Sequence, residues 1–149
     1  MNLVFTPRTY KNKLRGYPLS SIQISRFIIS FSWLYHGIFP KIIHIAPLEK
    51  LITGSLGLSN DFSYLITKSA GVGEVVFGIM FFILYRNKGV VLLNIIGLIG
   101  LLLFVALLQP HLLIEAFNPV TTNIPLIGFS FILLAELKNK AKEEGNCTL

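Results

Sequence analysis

Several ionisable side chains interrupt long apolar stretches of the sequence. Arg26 lies within the first stretch and Glu74 within the second. A charged side chain inside a bilayer costs on the order of 3 kcal/mol unless it is paired, protonated or hydrated, so both should face the protein interior. Glu74 is predicted to be either half of a structural ion pair with Arg26 or a protonatable, ligand-binding carboxylate. Glu136 is a competing partner for Arg26.

A second group of polar and aromatic residues gathers at the carboxyl end of the first apolar stretch. Its members are Trp33, Tyr35, His36, Lys41, His44 and Glu49. Together they could line a pocket for an anionic or quinone-like head group. Alternatively, Lys41 and His44 simply reach water or lipid phosphate at the membrane boundary. A zinc site is disfavoured because His36 and His44 are separated by a proline and Glu49 lies beyond another.

The composition indicates which elements carry these residues. Of the 149 residues, 53% are hydrophobic and 13% are charged, whereas soluble domains carry about 25% charged residues. Four apolar stretches are predicted to cross the hydrocarbon core as helices; they lie at about 19–40, 66–85, 90–108 and 122–137. The predicted fold is an all-α integral membrane four-helix bundle. The third span is assigned a structural role, and Gly71 with Gly73 should let two helices approach closely.

The first span should carry its polar residues on one face. On a 3.6-residue period that face contains Arg26, Ser30, Trp33, Gly37, Lys41 and His44. It should look into the protein, with the Trp33 indole N–H hydrogen-bonded between helices. Pro40 has no N–H to donate, so the helix should kink or end there. Pro47 suits a first helical turn and predicts a short interfacial helix over Leu48–Ser55.

Motifs spread across these spans resemble those of a known family. They are Arg26, Trp33-x-Tyr35-x-Gly37-x-x-Pro40-Lys41, Gly73-Glu74-x-x-x-Gly78 and Phe117-Asn118-Pro119-x-Thr121. The combination resembles the DoxX-like family of small membrane proteins. The resemblance implies a four-helix membrane protein and adds Gly37 and Asn118 to the candidate site. The family takes its name from a membrane subunit of a thiosulfate:quinone oxidoreductase, and some members are associated with redox or thiol-stress complexes.

Two functions follow from these patterns. The first is a binding or accessory subunit that holds a lipophilic molecule, quinone or lipid, and partners a soluble oxidoreductase. The alternative is a small transporter or ion-conducting protein with Arg26 and Glu74 as a gate, although no inverted repeat is evident. An enzyme in its own right ranks third because no pair of nucleophile and base is evident. A quinone is the candidate cofactor, none is expected to be covalent, and a homo-oligomer is left open.

The basic residues indicate the orientation in the membrane. Nine Lys and Arg residues lie in the arm 1–18, in the junction after the second span and in the charged tail 138–149, against Lys50 and Lys68 in the first opposite loop. Cytoplasmic loops carry the excess of Lys and Arg, which places both termini in the cytoplasm of a multi-pass inner-membrane protein. This location explains the net charge of +6 without nucleic acid. Cys147 then lies in a reducing compartment as a free thiol.

Reporter fusions test this topology. Fusions at the amino terminus, at Lys88 and at Leu149 should report a cytoplasmic location, and fusions near Asn60 and Leu113 the opposite side. A carboxyl terminus outside the cytoplasm would overturn the predicted orientation.

Overall fold

The computed structural model describes residues 20–116 and 118–146, excluding the side chains of 143–146. Its helices are, in chain order, α1 (Ser21–Gly37), a π-helical continuation (Ile38–Ile43), α2 (Pro47–Gly54), α3 (Asn60–Leu84), α4 (Lys88–Leu108), a 3₁₀ segment (Pro110–Ile114) and α5 (Pro119–Asn146). Between residues 20 and 146, apart from 117, the chain contains no strand. The predicted basic arm, Phe117 and Cys147 lie outside the described residues.

The long helices have the character of a membrane bundle. In the described chain, three segments are long and apolar enough to cross a membrane, namely Asn60–Leu84, Lys88–Leu108 and Pro119–Lys142. Large apolar side chains such as Phe31 and Ile83 are exposed on the outer surface, as expected where helices face lipid. The all-α membrane fold is therefore confirmed. Without its π-helical continuation, α1 has 17 residues, and its crossing of the membrane stays a prediction.

α3 extends beyond the amino-terminal end of the predicted span 66–85, whose bounds in the membrane stay a prediction. The helix begins at Asn60 rather than near residue 66 because Ser59 caps it, its hydroxyl accepting a hydrogen bond from the Phe62 N–H at 3.4 Å. Asp61 lies in the first turn, where its charge favours the helix dipole. The predicted short helix is present as α2 with Pro47 in its first turn. α5 continues past residue 137 into the charged tail.

Pro40 ends the α-helical part of the first span, as predicted. Since it cannot donate a hydrogen bond, α1 gives way to the wider π-helix, which runs from Ile38 to Ile43. Two hydrogen bonds of wide backbone turns end this segment: the His44 N–H donates to the Phe39 carbonyl at 3.1 Å, and the Ala46 N–H donates to the Pro40 carbonyl at 2.9 Å. This geometry leads the backbone directly into α2.

Two glycines set the spacing of α1 and α3. A Cβ added at Gly37 would lie 2.6 Å from the Gly71 carbonyl oxygen, and one at Gly71 would lie 2.8 Å from the Gly37 carbonyl oxygen. Small residues let helix backbones approach in this way in membranes. The close approach predicted at Gly71 is confirmed. Gly73, by contrast, faces open space.

The same contact fixes an antiparallel register between α1 and α3. Gly37 lies opposite Gly71, Ser30 lies beside Gly78, and Arg26 reaches Phe82. α1 also packs against α5, and α4 packs mainly on α5, so that α1 and α5 are the two inner helices.

Apolar side chains of the four long helices fill the space between them. The most deeply buried are Ile29, Phe81, Val91, Leu98 and Leu133. A smaller cluster of Ile52, Val105 and Leu112 joins α2 to the end of α4 and to the 3₁₀ segment. This second cluster holds α2 against one end of the bundle.

Substituting Gly71 by alanine should destabilise the bundle. The added Cβ would meet the Gly37 carbonyl and would lie 2.7 Å from the Lys41 Cβ, so we expect a loss of about 1–3 kcal/mol in the free energy of unfolding. Reversible unfolding in detergent measures this loss. Gly128→Ala is the matched control because its Cβ position has nothing within 4 Å. Equal stability of the two variants would contradict the close helix contact.

Candidate functional site

A cavity of about 180 Å³ lies between α1, its π-helical continuation, α2 and the facing parts of α3, α4 and α5. Six of the residues singled out from the sequence line it: Trp33, His36, Lys41, Glu49, Glu74 and Asn118. Much of the remaining lining is apolar and consists of Leu48, Ile52, Leu98, Leu101, Val105 and Leu126. A few convergent polar groups in an apolar wall are typical of a ligand site.

Lys41 is the central charge of this cavity. Its Nζ donates a hydrogen bond to Glu74 Oε1 and lies 3.6 Å from Glu49 Oε1. All three side chains are largely buried. A single ammonium group therefore serves two carboxylates, and the cluster carries excess negative charge when both are ionised.

Glu49 lies on α2, beyond the spans, and its protonation is set by two opposing effects. Burial raises the pKa of the Glu49 carboxyl above its ordinary value, while the Lys41 ammonium acts in the opposite direction. Protonation of Glu49 as the pH falls therefore begins above the usual carboxyl range. It leaves Lys41 paired with Glu74.

The predicted ion pair between Arg26 and Glu74 is wrong. The Arg26 Nε donates to the Phe82 carbonyl oxygen at 2.8 Å, and its guanidinium carbon lies 3.8 Å from the centre of the Phe82 ring and 4.5 Å from that of Tyr85. Within the described residues, neither Glu74 nor Glu136 forms a salt bridge with Arg26. Arg26 and Glu74, the residues of the gate predicted for an ion-conducting protein, therefore do not form an ion pair in the part of the chain that the structure describes.

The register of α1 against α3 explains why Glu74 pairs with Lys41 and not with Arg26. Phe82 lies opposite Arg26, and Glu74 is eight residues, or about 12 Å, closer to the amino terminus of α3. Helical side chains lean toward the amino terminus of their own helix. Because α1 and α3 are antiparallel, the side chains of Lys41 and Glu74 lean toward each other, to the height of the Gly37–Gly71 contact. The side chains of Arg26 and Glu74 lean away from each other.

Trp33 is held by a polar network that joins three helices. Its indole N–H donates to the Asn94 side-chain oxygen at 2.6 Å, and the Asn94 amide donates to the Ser130 hydroxyl at 2.8 Å. Ser130 in turn donates to the Leu126 carbonyl at 2.7 Å. The prediction that Trp33 lies between helices with its N–H bonded is confirmed. The network fixes the indole ring as one wall of the cavity.

The sequence alone indicates only a structural role for the third span, which contains Asn94. In the structure, however, Asn94 orients the cavity residue Trp33. It is completely buried, and it is the polar side chain in an otherwise apolar helix. A polar side chain in such a setting needs a partner on another helix, which is the signal that could have linked it to Trp33. The α4 residues Leu98, Leu101 and Val105 carry no comparable signal.

The remaining predicted residues have different positions. Tyr35 is 48% exposed on the outer face of α1, and His44 is exposed beyond the π-helix. Gly37 belongs to the helix contact rather than to the cavity. Asn118 both lines the cavity and caps α5, since its side-chain oxygen accepts a hydrogen bond from the Thr121 N–H at 2.9 Å.

Double-mutant cycles test the new pairing. Lys41→Met and Glu74→Met should each lower the free energy of unfolding, and the double variant should recover part of the loss because no buried charge is left without its partner. We expect a coupling of more than about 1 kcal/mol in detergent unfolding.

The cycle of Arg26→Met with Glu74→Met is the matched control and should be additive within about 0.5 kcal/mol. Coupling in the Arg26 cycle together with additivity in the Lys41 cycle would contradict the structure and indicate that Arg26 pairs with Glu74.

The cavity lies within the part of the chain that matches a known family. The model of the DoxX-like family matches residues 30–131, a range that includes every residue lining the cavity. No curated protein and no solved structure matches the chain at a significant level. The match covers more than half of the chain and agrees with the apolar helices of the fold. The chain is thus a membrane protein that belongs to the DoxX-like family.

Proposed function

We propose that this protein is a multi-pass membrane subunit that holds the polar head group of a lipophilic molecule, a quinone or a lipid, in the cavity around Lys41. The observation that carries the proposal is the buried cluster of Lys41, Glu49 and Glu74 in an otherwise apolar cavity. Ionisable groups at membrane depth are costly and are typically retained for a function.

The cluster offers complementary groups to a ligand. The Lys41 ammonium has three N–H donors, one of which is directed at Glu74. The second oxygen of that carboxylate, Oε2, is buried and accepts no hydrogen bond from the described residues. A ligand carbonyl or phosphate oxygen suits Lys41, and a ligand hydroxyl suits Glu74. A quinone provides the carbonyl oxygen for Lys41, and the corresponding quinol provides the hydroxyl group for Glu74.

The Trp33 indole favours a flat ring among the candidate head groups. The hydrogen bond to Asn94 holds the ring in place, and Phe77 contacts it edge to face with the ring centres 4.8 Å apart. Offset stacking on a fixed aromatic face adds about 0.5–1.5 kcal/mol to an interaction beyond the area it buries. This feature supports a quinone ring over a lipid phosphate.

The cavity volume suits a head group rather than a whole molecule. Pockets for drug-sized ligands measure about 300–1,000 Å³, whereas this cavity measures about 180 Å³. A long hydrocarbon tail would therefore have to lie outside it.

We place the protein as an accessory partner of a redox system rather than as the enzyme. The family resemblance supports this role, since the family is named after a membrane subunit of a quinone oxidoreductase. Cys147 is the single cysteine of the chain, so a dithiol for two-electron thiol chemistry has to come from a partner. The predicted orientation puts the cavity toward the outer side of the inner membrane.

Trp33 provides a direct test because it is the only tryptophan in the chain. In lipid nanodiscs, titration with a decyl-substituted benzoquinone should quench its fluorescence saturably. Lys41→Met should weaken binding by about tenfold or more, because a hydrogen bond to a charged group contributes about 1.5–3 kcal/mol. Glu74→Gln should keep the fold and also weaken binding of the corresponding quinol.

Lys50→Met is the matched control, since Lys50 is exposed on α2 and does not line the cavity. Its titration should superimpose on that of the unaltered protein. Quenching that rises linearly with quinone content and is identical in all variants would contradict the proposed site. Displacement of the quinone by an anionic phospholipid would identify a lipid head group as a competing ligand.

A further inference from the structure

A second opening leads from the lipid-facing side of the bundle to the same charged cluster. It is a crevice between α3 and α4 with a volume of about 400 Å³. Its sides carry Ala70, Gly73, Gly97 and Gly100. Trp33, Glu74 and Leu101 line both the crevice and the cavity, so the two spaces lie on either side of these residues.

The crevice exists because α3 and α4 pack on different partners. α3 packs against α1, α4 packs against α5, and α3 and α4 contact each other little although a short turn connects them. Glycine in membrane helices usually permits close packing, as at Gly37 and Gly71. At Gly73 and Gly100, however, nothing lies within 4 Å of an added Cβ. These glycines therefore leave space open instead of closing it.

Glu74, which lines the crevice, has an unsatisfied polar atom. Glu74 is 9% exposed, and Lys41 occupies its Oε1. Its Oε2 is buried without a hydrogen-bond donor from the described residues. A buried carboxylate oxygen without a donor is unfavourable, and a ligand with a hydroxyl group removes this cost. The crevice is thus lined by a residue that has one carboxylate oxygen without a donor.

From these observations we infer that the crevice is the lateral entry from the bilayer and the binding groove for the hydrocarbon tail of the ligand. The inference rests on the proposed function and specifies its ligand class: an amphiphile with one isoprenoid or acyl tail and a compact, hydroxyl-bearing head group such as a quinol. The head group occupies the cavity beside Lys41 and Glu74. The tail lies over Gly73 and Gly100 and leaves the bundle between the two helices.

The shape and polarity of the crevice agree with this occupant. Apart from Glu74 at its inner end, the crevice is lined by apolar and small residues. On α4, Ile96 and Ile99 beside it are exposed on the outer surface, as they would be in contact with lipid. A tail enters such a groove without leaving an apolar environment, so only the head group needs polar partners.

Filling the crevice tests the inference without disturbing the fold. Gly73→Leu and Gly100→Leu place side chains in open space, and Gly128→Leu on α5 is the matched control with an equally open Cβ position. Two probes are compared through Trp33 fluorescence in nanodiscs: a benzoquinone without a tail and its decyl-substituted analogue. The crevice variants should weaken binding of the decyl probe by about tenfold and leave binding of the probe without a tail unchanged.

The outcomes separate this inference from the proposed function. If the decyl probe binds the crevice variants as tightly as the unaltered protein, the crevice is not the tail groove, although the cavity still binds head groups. If neither probe quenches Trp33 saturably in the unaltered protein, the proposed function fails and the inference fails with it.

A second measurement does not depend on the head group. A fatty acid brominated midway along its chain quenches tryptophan on contact, so it should quench Trp33 in the unaltered protein and in Gly128→Leu. Quenching should fall in Gly100→Leu because leucine separates the chain from the indole. Equal quenching in all three proteins would overturn the inference.

Discussion

Lys41 and Glu74 can pair because glycine at positions 37 and 71 lets two helix backbones come into direct contact. Each charged side chain leans toward this contact from its own helix, and each provides the partner that a buried charge requires. The pair thereby ties the spacing of α1 and α3 to the polarity of the cavity. A larger residue at either glycine would separate the charges as well as the helices.

The π-helical segment completes the site from the other direction. Pro40 interrupts the α-helical hydrogen bonding, and the wider turns lead the chain into α2. Glu49 on α2 then lies 3.6 Å from the Lys41 ammonium, and an apolar cluster around Ile52 holds α2 in place. Single π-helical turns are frequent at functional sites. Here the irregular backbone carries Lys41 itself and brings Glu49, a third charge, to the pair of Lys41 and Glu74.

The fold was largely predictable from the sequence, but the pairing of charges was not. Hydropathy located the three helices of the described chain that are long and apolar enough to cross a membrane, because a bilayer imposes their length. Pro40 and Pro47 marked the irregular end of the first apolar stretch. Arg26 was matched with Glu74 by estimated depth alone. The register set by Gly37 and Gly71 decides the partner, and it depends on contacts between helices that one sequence does not specify. The crevice could not be predicted for the same reason. A glycine in a membrane helix usually indicates close packing, and only the structure shows that Gly73 faces open space.

The claim that the cavity holds a lipophilic ligand is tested most directly by what the protein retains during purification. The protein and its Lys41→Met variant would be extracted from native membranes in mild detergent, and the co-purifying quinones and lipids quantified by mass spectrometry. The proposed ligand site predicts that one single-tailed species is enriched over its share of the bulk membrane in the unaltered protein and is lost from the variant. Co-purified molecules that match the bulk membrane in both proteins would contradict it.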